Sequence, residues 1–332
     1  MRWKLCYTKT YFILSVICNL LLGIYIININ IFQDVKPKMV IQLSGHANQV
    51  HSVNGNELTL VTAYFNIGSF KKTPNLIFSK STYYNWMKGF QSVNNCVILY
   101  TDQLDLSVQF KLYRRHFPIH MTKVFILNQT SLWAFGLQPR IKKIYNQKGY
   151  PIPGRPAYSS AMHAKYELTG RVIQEQIFTT KYLAWIDIGY LRRMRPDCFQ
   201  MKPPKSMKDD HISFSQVAFF NPNLTLKEIM YRTKYYIAGG LFIGRPEYLS
   251  LFIEDYKMAV ESLLKMKLMN SDQQILYAMY SAKLFFQPRI RIQTFFDDKS
   301  LKTARPKRWF YLASSTTHAT NISESKLSQN VK

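Results

Sequence analysis

Asp187 closes the apolar run Tyr182 to Ile186 and is followed by Ile188 and Gly189. A short run of aromatic and aliphatic residues before a turn residue reads as a buried strand. A carboxylate at the C-terminal end of such a strand stands where open α/β sheets hold their ligands. Farther on, Gly239 and Gly240 interrupt the strand-like run "YYIAGGLFIG". Glycine there marks either a bulge or a close approach of backbone to a ligand. Asp272 opens "SDQQIL", so it reads both as part of a helix cap and as a carboxylate placed to take a proton from a hydroxyl. Lys165, on a helix ahead of Asp187, is either a compact positive charge for a phosphate group or a solvated helix lysine.

Other groups are weaker candidates. His116 and His120 have a zinc-like spacing, but Pro118 lies between them and no further ligand pattern completes a tetrahedral site. Asp209, Asp210 and His211 sit in a lysine-rich loop and read as a solvated turn, while Asp297 and Asp298 in "TFFDDK" are candidates for an additional acid. There is no Walker loop, GxSxG elbow or dinucleotide glycine fingerprint.

The elements that must position these residues follow an alternating order. "ELTLVTAYFN", residues 57–66, predicts a first strand, residues 74–90 a helix and "NCVILYT", residues 95–101, a second strand. A helix near 107–116, a strand over 122–127, helical residues 131–147 and 159–175, and the strand ending at Asp187 come next. Strands are expected at 211–220 and within 235–244, and helices over 246–267 and from 271 onward. Alternation of this kind predicts an α/β domain with a largely parallel sheet.

The chain has 44 Lys and Arg against 19 Asp and Glu, a net charge of +25. Such a field attracts polyanions or phosphorylated ligands. No nucleic-acid-binding motif accompanies it, so nucleic acid is not the expected partner. Residues 11–32 run without a charge, about the 20 residues that span a bilayer. With Arg2, Lys4 and Lys9 ahead of them, they predict a cytoplasmic tail over 1–10, a single-pass type II signal anchor over 11–32 and a stem over 33–56. The folded domain is expected over 57–315, with a polar tail over 316–332. It would lie in the secretory lumen, Golgi or ER. Sequons at Asn128, Asn223 and Asn321 agree with a glycoprotein on that side. Cys96 and Cys198 are the soluble part's two cysteines and read as either a disulfide or two thiols.

The series "TAYFN", Lys165, "WIDIG", "AGGLFIG" and "SDQQIL" resembles glycosyltransferases of the type A fold, and "TLVTAYFNIG" and "WIDIGYLR" are similar to the HtrL/YibB-type family tied to surface-polysaccharide synthesis. The resemblance spans residues 57–312. It implies a mixed, largely parallel sheet flanked by helices, with Tyr64, Phe65 and Asn66 beside a nucleotide base and Lys165 at the pyrophosphate. It makes Asp187 the first acid of an Asp-x-Asp element for manganese or magnesium, sets Gly239 and Gly240 along the sugar pocket, and makes Asp272 the catalytic base. Gly189 replaces the second acid, which removes a metal ligand and favours Asp187 as a donor-binding group. The implied function is transfer of a sugar from a nucleotide-sugar donor to a glycan or glycoprotein acceptor, an anionic one included, by a membrane-anchored enzyme. The alternative is a catalytically inactive relative that binds anionic glycans through its basic surface.

Overall fold

The computed structural model describes residues 56–73, 76–151, 154–193, 198–281, 283–284, 286–297 and 306–319. The expected tail, anchor and stem, along with Asn321 and Asp298, lie outside these residues, apart from Asn56 at the end of the stem. Among the described residues no helix is long and apolar enough to cross a membrane.

The domain opens with β1 (Leu58–Tyr64), a hairpin of β2 (Phe70–Thr73) and β3 (Leu76–Phe78), and α1 (Lys80–Trp86). It continues with β4 (Val97–Thr101), α2 (Leu104–Tyr113), β5 (Thr122–Ile126), the short helices α3 (Trp133–Gly136) and α4 (Gln138–Tyr145), α5 (Pro156–Gln174) and β6 (Tyr182–Ile186). The second half holds β7 (Phe199–Met201), β8 (His211–Gln216), α6 (Leu226–Tyr231), β9 (Ile237–Gly244), α7 (Pro246–Lys265), α8 (Asp272–Tyr280), β10 (Arg291–Phe295), α9 (Tyr311–Thr316) and β11 (Thr317–Ala319).

Seven strands form one sheet in the order β10-β8-β9-β6-β1-β4-β5. β1 runs parallel to β4 and β6, β4 to β5, and β10 to β8. β9 alone in this sheet runs against its neighbours, β6 and β8. The result is the expected mixed, largely parallel α/β sheet. β4 and β6 are buried along their whole length, as parallel strands covered on both faces must be. Alternate residues feed two cores: Val61, Ile98, Leu183 and Trp185 pack with α5 and α7 on one face, and Leu60, Val97, Leu99 and Ala184 with Phe90 and Phe110 on the other.

The helix expected over 74–90 is shorter, because the β2–β3 hairpin occupies its start. Phe70 and Phe78 stack across that hairpin at 5.3 Å. Ser79 then caps α1 by accepting from the Thr82 N–H at 3.2 Å. α1 passes into a 3-10 stretch, Met87–Ser92. α5 and α7 each begin with proline at the first helical position, where its missing N–H costs nothing. No disulfide joins Cys96 to Cys198. Cys96 is buried, which pushes its thiol up to about 11, and accepts a long hydrogen bond from Asn56 Nδ2 at 3.9 Å.

His163 is fully buried on α5, its Nδ1 hydrogen-bonded to the Tyr256 hydroxyl at 2.7 Å. Burial first, and Lys165 second, pull its pKa from 6.5 down to about 3. The folded value is depressed, so the neutral ring's contribution to stability is complete above pH 6.5 and is lost as pH falls toward 3. The melting temperature is therefore expected to drop between pH 7 and pH 5, and a His163→Gln variant to lose less over the same interval.

Candidate functional site

The chain moves outward from β1 to β4 and β5, then returns to lay β6 along the other side of β1. The point where strand order reverses, beyond the C-terminal ends of β1 and β6, is where open α/β sheets place their ligands. Asn66 lies just past β1, and Asp187 is the first residue past β6. The antiparallel β9 brings Gly239 and Gly240 to the same edge, where the Asp187 N–H donates to the Gly240 carbonyl at 2.9 Å.

Lys165 organises this edge. Its Nζ lies 2.8 Å from Asp272 Oδ2, 2.8 Å from the Gly239 carbonyl and 3.3 Å from Asp187 Oδ1. An ammonium has three N–H bonds, and here each one faces a protein oxygen. Lys165 and Asp272 are almost fully buried, with side chains 2 % and 3 % exposed, whereas the Asp187 side chain is 39 % exposed. Burial alone would lower the lysine pKa. Asp187 and Asp272 outweigh it and hold the group above its ordinary range, so the ammonium stays charged. Trp185 Nε1 donates to Asp187 Oδ1 at 2.8 Å, which fixes the carboxylate and leaves Oδ2 without a hydrogen bond among the described residues.

The glycines are forced by contact. A Cβ on Gly239 would meet Asp272 Oδ2 at 2.1 Å, and one on Gly240 would meet the Tyr190 ring at 3.0 Å. The pairing of β8 with β9 shifts register across this stretch, between the Phe214–Phe242 and Gln216–Ile237 pairs, so the glycines sit in a bulged segment that packs closely against the Asp272 and Tyr190 side chains. Ser271 is the N-cap residue of α8 and Asp272 lies in its first turn, so the helix dipole also favours its negative charge.

Gly189, where the resemblance to an Asp-x-Asp element expects a second acid, is covered by Trp86: an added Cβ would meet Trp86 Cε3 at 2.6 Å. Among the described residues no three His, Cys, Asp or Glu side chains converge. With Asp272 committed to Lys165, the remaining donor at this edge is one oxygen of Asp187, a set that does not fit a resident divalent cation.

At the end of β1, Tyr64 and Phe65 are 6 % and 7 % exposed. Tyr64 packs on Tyr83 at 5.2 Å, and Phe65 meets Phe135 edge-on. Asn66 uses its side-chain oxygen on the Gly68 N–H and its backbone N–H on Asp102 at 3.0 Å. Gln129 ties this turn down by donating to the Asn66 carbonyl and to Asp102. Tyr83, Trp86, Phe78, Phe70 and Tyr158 continue as an aromatic wall with ring separations of 5.1 to 5.4 Å. Burial, then the charge of Asp272, pushes the Tyr158 phenol up to about 12.

The weaker candidates lie elsewhere. Asp209 accepts from Tyr182 and pairs with Arg245, and Asp210 holds His211 Nδ1 at 2.7 Å, all at the opposite edge of the sheet where β6 and β8 begin. His116 and His120 are exposed. Asp297 follows β10 on the same edge as Asp187 but three strands away. Sequence reading missed Trp86, Asp102, Tyr158 and Arg192. Tyr158 had a signal, since it lies two helical turns before Lys165 on the same face. Trp86 had none.

Replacing Lys165 by Met leaves Asp272 buried without its partner. The expected loss is about 3–5 kcal/mol in urea unfolding. Adding Asp272→Asn to that variant is expected to recover part of the loss, because no uncompensated charge then remains inside.

The model of a family described as "Bacterial protein of unknown function (HtrL_YibB)" matches residues 56–298. Protein HtrL of Escherichia coli (strain K12) is 24% identical over 252 residues, covering 67% of this chain and 83% of that protein. The crystal structure of mouse xyloside xylosyltransferase 1 in its apo form covers 80% of this chain and 98% of that chain, with 8% sequence identity and a TM-score of 0.37. By the extent of the family match, taking in β1, Lys165, Asp187, both glycines and Asp272, the chain belongs to the HtrL_YibB family.

Proposed function

We propose that this protein is a glycosyltransferase-type enzyme that takes a sugar from a nucleotide-sugar donor and passes it to a glycan or glycoprotein acceptor. The observation that carries this reading is the convergence of Asp187, the Lys165 ammonium and the Gly239–Gly240 backbone at the switch point of the sheet. A half-exposed carboxylate backed by a buried cation suits hydroxyl groups of a ribose or sugar. Gly239 and Gly240, without side chains, let a ligand lie against the backbone.

In this reading Tyr64 and the turn at Asn66 border the base, and Asp187 with the two glycines holds the donor's sugar or ribose. Lys165 orients Asp187 through its 3.3 Å contact with Oδ1. Asp272 positions Lys165, and it reaches an acceptor hydroxyl as a base only if Lys165 moves aside. The reaction gains from cations set against the departing diphosphate, where negative charge grows in the transition state. Residues 11–32 would anchor the domain to a membrane with its bulk in the secretory lumen, where the exposed Asn128 and Asn223 could accept glycans.

A panel of nucleotide sugars offered to the purified protein, with and without manganese, tests this directly. At least one donor is expected to be hydrolysed or transferred, and Asp187→Asn to lower that rate by about 10²–10⁴-fold, the usual weight of a positioned catalytic carboxylate. If no donor turns over while heparin-like chains bind at moderate salt, the protein is instead an inactive relative that uses its basic surface on anionic glycans.

A further inference from the structure

Resting on that reading, one question remains at the site: what meets the donor's diphosphate. Lys165 faces three protein oxygens and has no N–H to spare. The position that would complete a metal site is Gly189, and Trp86 fills the space beside it. A diphosphate carries more than one negative charge, and a partner of opposite sign is needed to bring it out of water.

Arg192 is built into this gap. It is exposed, and it lies on the 3-10 turn Tyr190–Arg193 that follows Asp187 and Gly189. Its guanidinium carbon stands 4.8 Å from the centre of the Trp86 ring and 5.3 Å from that of Phe310, so two aromatic faces hold it. Its Nη1 donates to the Gly189 carbonyl, the backbone of the very residue that replaces the second acid. Tyr190 secures the turn beneath it, with its hydroxyl on the Trp309 carbonyl at 3.1 Å and its ring 4.8 Å from Phe310.

Arg192 also shares a neighbourhood with Asp187. Burial drives the phenols of Tyr83 and Tyr190 upward. Beyond burial, Asp187 pushes both further and Arg192 opposes it on both.

We infer that Arg192, stacked between Trp86 and Phe310 and tethered to Gly189, is a diphosphate-binding residue that stands in for the bridging metal ion of an Asp-x-Asp site. A guanidinium is suited to the task, because its planar fork pairs with phosphate oxygens in bidentate fashion and keeps its charge at any working pH. Contact with two aromatic rings holds the group in advance, so less side-chain freedom is lost when the ligand arrives.

Calorimetric titration of the full-length chain in detergent tests the inference, with UDP, GDP and ADP compared against uridine, guanosine and adenosine in the presence of EDTA. The nucleoside diphosphate of the preferred base is expected to bind at least tenfold tighter than its nucleoside without any metal. Arg192→Ala is expected to erase that increment while leaving nucleoside affinity within about twofold, and Arg192→Lys to restore only part of it, since a lysine cannot pair bidentately. Trp86→Leu, which removes one face of the stack, is expected to reduce the same increment. A diphosphate increment that appears only with manganese and survives Arg192→Ala overturns the inference alone. Failure of every nucleoside and diphosphate to bind overturns the proposed function and this inference with it.

Discussion

One buried ammonium sets the geometry on which the site depends. Lys165 sits between Asp272, Asp187 and the Gly239 carbonyl, and the buried Asp272 carboxylate could not stay at its depth without it. The pair with Asp272 joins three elements that are distant in sequence: the middle of α5, the first turn of α8 and, through Gly239, the start of β9. Buried pairs of this kind add little net stability, because desolvation offsets most of the attraction. What this one supplies is position. It fixes a half-exposed carboxylate at a sheet edge with one oxygen directed by Trp185 and Lys165.

The sheet explains why these groups meet at one edge. β1 is flanked by β4 and β6, which leave it in opposite directions, so the loops after β1 and β6 separate. Antiparallel β9 then runs back beside β6 and lays its first residues against the loop of Asp187. A fully parallel sheet would have put the opposite end of that strand here. The direction of β9 thus delivers Gly239 and Gly240 to the carboxylates, and the 2.1 Å approach of Asp272 to a notional Cβ excludes any other residue at Gly239.

Much of this was legible in the residues. The strand ending at Asp187, the helix bearing Lys165 and the start of α8 at Asp272 all carried periodicity or capping signals, and the structure places them within hydrogen-bonding reach. Long-range contact was not legible. Nothing in "NWMKGF" says that Trp86 will cover Gly189, since that contact is made only when α1 packs against the turn after β6. The β2–β3 hairpin was hidden for a related reason: the stack of Phe70 on Phe78 stabilises it across a turn, and a helical pattern overlaps the same residues. Asp102 carried no signal, because its grip on the Asn66 N–H appears only once β1 and β4 lie side by side.

Glycine at position 189, where an Asp-x-Asp element would carry its second acid, has an electrostatic consequence beyond the absence of a metal ligand. Asp187, Asp272 and Lys165 sum to one net negative charge, which Arg192 cancels, and an acid at 189 that displaced Arg192 would leave two. A doubly negative edge repels a diphosphate unless a divalent ion intervenes. Filling the position with an indole removes that need and provides a face on which a guanidinium can rest. Trp86, Gly189 and Arg192 therefore form one unit. The glycine admits the ring, the ring supports the cation, and the glycine's carbonyl aims it. Restoring the acid at 189 would displace Trp86 and with it the support of Arg192, so a metal-type and an arginine-type site are mutually exclusive on this backbone.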